Sequence, residues 1–134
     1  MRNKSKLTKI KKNKAPQTQI PKDWLYMCQM ELELGKIKEA LEADYSIEFW
    51  EEAGVLEVEL QAKESASVDF ETVDMKRADE VTAEYMKTNA VKRVFLVSIR
   101  PEAYEEAKKV MEKVVLVHGG FFCGDTEDFL PMIK

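Results

Sequence analysis

Residues 54–74, GVLEVELQAKESASVDFETVD, alternate apolar and acidic side chains in two separate runs. A period of two marks a half-buried strand, because successive side chains leave opposite faces of a sheet. Leu56, Val58 and Leu60 point one way and Glu57 and Glu59 the other. After a polar loop, Val68 and Phe70 repeat the apolar set, and Asp69 and Glu71 repeat the acidic one. Two neighbouring runs patterned alike commit the chain to a sheet with one face on a core and the other in water. Residues 45–50 read as a further strand, joined through Glu51-Glu52-Ala53-Gly54, with the glycine available for positive φ. In such a meander Glu48, Glu57, Glu59, Asp69 and Glu71 share one face. Alternate residues on a strand are about 6.8 Å apart.

Charge is segregated along the chain. Residues 1–14 carry Arg2, Lys4, Lys6, Lys9, Lys11, Lys12 and Lys14 and no acid, a charge of +7. Residues 31–74 carry fourteen acids against Lys36, Lys38 and Lys63, a charge of −11. The remaining segments are balanced, which leaves the net −4. Residues 1–20, polar and basic with few large apolar groups, cannot bury enough surface to offset the entropy of ordering. They read as a disordered basic arm ahead of one domain over residues 21–134.

Within that domain, Met27, Met30, Leu34, Ile37 and Leu41 follow a 3-4-3-4 spacing, which predicts one long helix over 22–43, with Asp23 as its cap. The competing pattern is the strict alternation of Trp24, Tyr26, Cys28, Met30, Leu32 and Leu34, a strand followed by a short helix from Lys36. Residues 76–87 read as helical, with Ala78, Val81 and Tyr85 on the buried side. The apolar run 94–99 suits a central strand covered on both faces. Pro101 opens another helix, whose buried stripe is Ala103, Ala107, Val110, Met111 and Val114. A last strand is read as beginning over 114–117. The fold class is α+β, a two-layer sandwich of a mostly antiparallel sheet, about four or five strands, with two or three helices packed on it.

Catalytic chemistry has one candidate locus, VHGGFFCGDTEDF at 117–129, which holds the only histidine, His118, with Cys123 and three of the five glycines. A Cys/His pair can generate a thiolate nucleophile if the side chains meet. On one regular strand, His118 and Cys123 would face opposite sides. The bland reading is a glycine bend with Phe121 or Phe122 packed inside and Cys123 inert. Asp125, Glu127 and Asp128 do not have the spacing of a calcium loop, and Asp125 or Thr126 suits the cap of a short turn. One histidine and two distant cysteines make a poor zinc set, and no phosphate-binding glycine loop is present. No cofactor or metal is called for.

Two cysteines without a dense framework fit a reducing compartment, with one disulfide still open. With no membrane-length apolar run and no apolar core after the basic N-terminus, the expected location is cytoplasmic. Three functional classes follow. The first is a non-enzymatic binding or regulatory protein whose acidic sheet face (Glu48, Glu57, Glu59, Asp69, Glu71) meets a basic protein surface, including a nucleic-acid mimic that inhibits a nucleic-acid enzyme. The second is a nucleic-acid-binding accessory protein acting through Lys4, Lys6, Lys9, Lys11, Lys12 and Lys14, which neutralise phosphates but lack interleaved aromatics for stacking. The third is a small Cys/His enzyme or ligand-binding domain using 117–129. The first explains the most conspicuous pattern with the fewest assumptions.

Overall fold

The computed structural model describes residues 19–62 and 64–134; Lys4, Lys6, Lys9, Lys11, Lys12 and Lys14, with nearly all of the expected arm, lie outside them. The strands are β1 (Asp23–Cys28), β2 (Ile47–Trp50), β3 (Val55–Glu59), β4 (Ser67–Thr72), β5 (Arg93–Ser98), β6 (Phe121–Gly124) and β7 (Met132–Ile133). The helices are α1 (Leu34–Leu41), α2 (Glu80–Thr88) and α3 (Tyr104–His118), with 3-10 turns at Met75–Arg77 and Pro101–Ala103. All strand pairs are antiparallel, and the sheet order is β2-β3-β4-β5-β1-β6-β7. The class is therefore α+β as expected, but among the described residues the sheet has seven strands rather than four or five. Among the described residues, no helix is long and apolar enough to cross a membrane.

The difference in strand number begins at 22–43. That segment is a strand and then a helix, as the competing pattern has it, with the helix opening at Leu34, and not one long helix. Trp24, Tyr26 and Cys28 join one buried cluster, while Leu25 and Met27 join another on the opposite face of the sheet. The alternation of Trp24, Tyr26 and Cys28 therefore holds, but the positions between them are apolar too, because the strand is buried on both sides. Of the helical spacing, Leu34, Ile37 and Leu41 do form the buried stripe of α1, but Met30 lies outside it at 52% exposure.

The first cluster sits between the sheet and α1 with α3. Leu56, Val58, Val68, Phe70, Phe95, Val97 and Phe122 supply the sheet side. Ile37, Leu41, Ala107, Val110, Met111 and Val114 supply the helices. The second cluster lies on the other side of β1, β5 and β6, where Met86 and Tyr85 of α2 pack with Leu25, Met27, Val94, Phe121, Cys123 and Phe129. Two layers account for the first cluster only, because α2 covers part of the second face. Asp79 caps α2, accepting from the Thr82 backbone N–H at 2.7 Å. Val81, expected on its buried side, is 64% exposed, and Met86 is the buried residue of α2.

The predicted strand over 114–117 is the end of α3, which runs to His118. Gly119 and Gly120, both at positive φ, turn the chain from α3 into β6. The Tyr26 hydroxyl donates to the Gly119 carbonyl at 2.7 Å, and its ring stacks on Phe122 at 4.5 Å. A Cβ on Gly120 would lie 2.4 Å from the Met27 carbonyl oxygen, whereas one on Gly119 meets nothing within 4 Å. Gly120→Ala therefore combines backbone strain with a clash that a rigid strand cannot relieve, and Gly119→Ala carries strain alone. Denaturant unfolding is expected to show a loss of about 1–3 kcal/mol for Gly119→Ala and a clearly larger one for Gly120→Ala.

Candidate functional site

The meander places Glu48 directly opposite Glu57, and Glu57 directly opposite Asp69. Asp69 faces Ser98 on β5, and Ser98 faces Asp23 on β1. Asp125, one residue past β6, continues the Trp24–Gly124 register beside Asp23, and its N–H donates to the Asp23 carbonyl at 3.0 Å. A row of polar positions thus crosses the sheet as Glu48, Glu57, Asp69, Ser98, Asp23 and Asp125. Glu59 and Glu71 lie two residues along their strands from Glu57 and Asp69, on the same face, with Glu59 opposite Ser67 and Glu71 opposite Val55. Register neighbours are about 4.5–5.5 Å apart at Cβ.

No ion pair reaches Glu48, Glu57, Glu59, Asp69 or Glu71 among the described residues. Arg100, two residues beyond Ser98, is held by the Glu102 carboxylate at 3.0 Å and the Glu64 carbonyl at 3.3 Å. Partial burial and the neighbouring charges of Asp69, Glu48 and Glu59 raise the Glu57 carboxyl above its ordinary range. Burial also raises Asp69, opposed by the hydrogen bond it accepts from the Ser67 hydroxyl at 2.8 Å. Asp125 is raised by burial and then by Asp23 and Asp79. The same face carries Trp50, which is 46% exposed and faces Val55.

The 117–129 locus does not assemble a nucleophile. His118 ends α3, and its Nε2 lies 2.9 Å from the Lys36 carbonyl oxygen. Cys123 is fully buried in the cluster on the other side of the sheet. Burial, followed by the charge of Asp125, pushes its thiol up to about 12. Cys28 is a second buried free thiol, on the opposite face from Cys123. Phe121 and Phe122 are both packed inside, one on each face. The Thr126 hydroxyl donates to Asp128 and accepts from the Leu130 N–H, so these residues close a turn. No group of three or more His, Cys, Asp or Glu side chains is arranged to hold a metal ion among the described residues.

Sequence reasoning left Asp23, Ser98, Asp125 and Trp50 out of the site. Asp23 and Asp125 read locally as caps, and only the pairing of β1 with β5 and β6 brings them into the row. Trp50 alternates with the inward-packed Phe49 along β2, so it falls on the carboxylate face. The chain matches no protein-family model, and no curated protein or solved structure is significantly similar to it.

The raised carboxyls fix the direction of a pH effect. A group with a higher pKa in the folded state binds more protons there, so its contribution to stability falls as pH rises through the two values. Glu57 and Asp69, raised from 4.5 and 3.8, should therefore favour the folded state increasingly as pH falls from neutral towards those values. Asp79, lowered by its hydrogen bonds to Thr82, acts in the opposite direction. Glu57→Gln with Asp69→Asn is expected to raise stability at pH 7 and to flatten the rise on mild acidification. Urea unfolding at pH 7, 6, 5 and 4.5 checks this against wild type.

Proposed function

We propose that the protein is a non-enzymatic binding module whose sheet face, bearing Glu48, Glu57, Glu59, Asp69 and Glu71, docks onto a basic protein surface. The observation that carries this reading is the direct cross-strand opposition of Glu48, Glu57 and Asp69 without an ion-pair partner among the described residues. Like charges facing each other across strands work against pairing. A basic partner would convert that repulsion into many simultaneous contacts and steer its own approach. A regular two-dimensional array of negative charge also fits a mimic of nucleic acid that occupies the basic cleft of a nucleic-acid enzyme. Trp50 adds an aromatic anchor to the charged face. Two buried free thiols suit the reducing conditions of the cytoplasm, the proposed location.

The competing reading gives the contact to Lys4, Lys6, Lys9, Lys11, Lys12 and Lys14 with nucleic acid as partner. One experiment separates the two. Glu57→Gln, Glu59→Gln, Asp69→Asn and Glu71→Gln are combined, and a partner captured from host lysate at low salt is titrated at two salt concentrations. Docking through the sheet face predicts at least tenfold weaker binding, a shallower salt dependence, and a melting temperature no lower than wild type. Unchanged affinity for a verified partner rejects the face as its site. A large fall in stability would assign these carboxylates a structural role instead.

A further inference from the structure

On the same side of the sheet as the carboxylate row, a cavity of about 460 Å³ opens between β1 with β5 and the connection from β4 to α2. Its floor is formed by Leu25 and Leu96, register partners on β1 and β5, with Val94 alongside. Met75 and Ala78 from the 3-10 turn region and Met86 of α2 complete the apolar walls. Asp74, Asp79 and Asp125 supply three carboxylates, against the single guanidinium of Arg77. Asp74 accepts the Lys76 backbone N–H at 3.0 Å, and Asp79, which caps α2, accepts the Thr82 backbone N–H at 2.7 Å and further hydrogen bonds from its first turn. The Asp125 carboxylate has no hydrogen bond or ion pair among the described residues, and this same residue ends the carboxylate row. The volume lies within the roughly 300–1,000 Å³ typical of small-ligand sites.

Alkyl walls beneath an excess of negative charge suit a ligand that is apolar along its length and cationic at its tip. Such a side chain buries its methylenes and keeps its charge at the rim. We propose that this cavity receives an alkylammonium group, the side chain of a lysine on the basic partner, with its stem against Leu25, Leu96 and Met75 and its ammonium between Asp79 and Asp125. The proposal rests on the reading of this face as a docking surface. It narrows the partner to one presenting a protruding lysine beside its basic patch.

The test is a methyl NMR titration of the full chain with n-hexylammonium chloride, and in parallel with 1-hexanol, which has the same stem and no charge. The expected result is a set of shifts confined to Leu25, Val94, Leu96, Met75, Ala78 and Met86, saturating at lower concentration for the ammonium than for the alcohol. Asp125→Asn should weaken hexylammonium binding about two- to five-fold, as for loss of one exposed ion pair. Ala78→Leu, which fills the cavity without altering charge, should weaken both ligands. Equal binding of the alcohol, an unaffected Asp125→Asn variant, or no response at the cavity methyls would each overturn the proposal. If hexylammonium does not bind while the fourfold carboxylate variant still loses its partner, the docking face stands and the cavity is removed from it. If hexylammonium binds while that variant keeps full partner affinity, the cavity site stands and the docking face is rejected.

Discussion

The structure depends on a central strand that is buried on both sides. β1 sends Trp24, Tyr26 and Cys28 towards α1 and α3, and Leu25 and Met27 towards α2. Both sides of the sheet around β1 must therefore be kept from water. On the first side, two helices are available, and the core extends from β3 to β7. On the second, α2 has nine residues and covers the region around β1, β5 and β6. Among the described residues, that leaves the β2-β3-β4 part of the second side without a helix, and polar side chains are the stable solution there. The carboxylates stand where this coverage ends, and the cavity lies at the boundary.

The cost of setting carboxylate opposite carboxylate is small beside what the same strands bury. Cross-strand charge effects are worth roughly 0.2–1 kcal/mol per pair. Leu56, Val58, Val68 and Phe70, on the reverse face of β3 and β4, are fully buried, and each such side chain contributes about 1.5–3 kcal/mol. The register is thus fixed from the apolar side. A one-residue slip would exchange the two sets and bury the acids, so the row persists even though its members repel one another.

The same physics decides what could be read from the chain. β3 and β4 were legible because burial on one side imprints a period of two on the residues. β1 was legible only as the competing pattern, the alternation of Trp24, Tyr26 and Cys28, because burial on both sides erases the polar half of that period and lets Met27, Met30 and Leu34 imitate a helix. At the end of α3 the error ran the other way. Val114 and Val115 pack inward, but Leu116 is 84% exposed, and this run of apolar residues resembled a strand without being one. The five carboxylates of the meander could be assigned to one face from local alternation. Asp23 and Asp125 could not, since strands far apart in the chain bring them to the row. The cavity was equally hidden, because its walls come from β1, β5, the 3-10 turn and α2 at once.

Among the described residues, β2 lies at one margin of the sheet, four residues long, and Glu48 on it ends the row. An open margin of this kind offers unpaired backbone groups to any extended segment, including the β2 of another copy. A second β2 laid there would bring the same negative set to the end of an already negative row, with no lysine from either β2 strand to offset it. Growth of the sheet from chain to chain is penalised by the charges that Glu48, Glu57 and Asp69 hold in line. That repulsion between copies weakens as ionic strength rises.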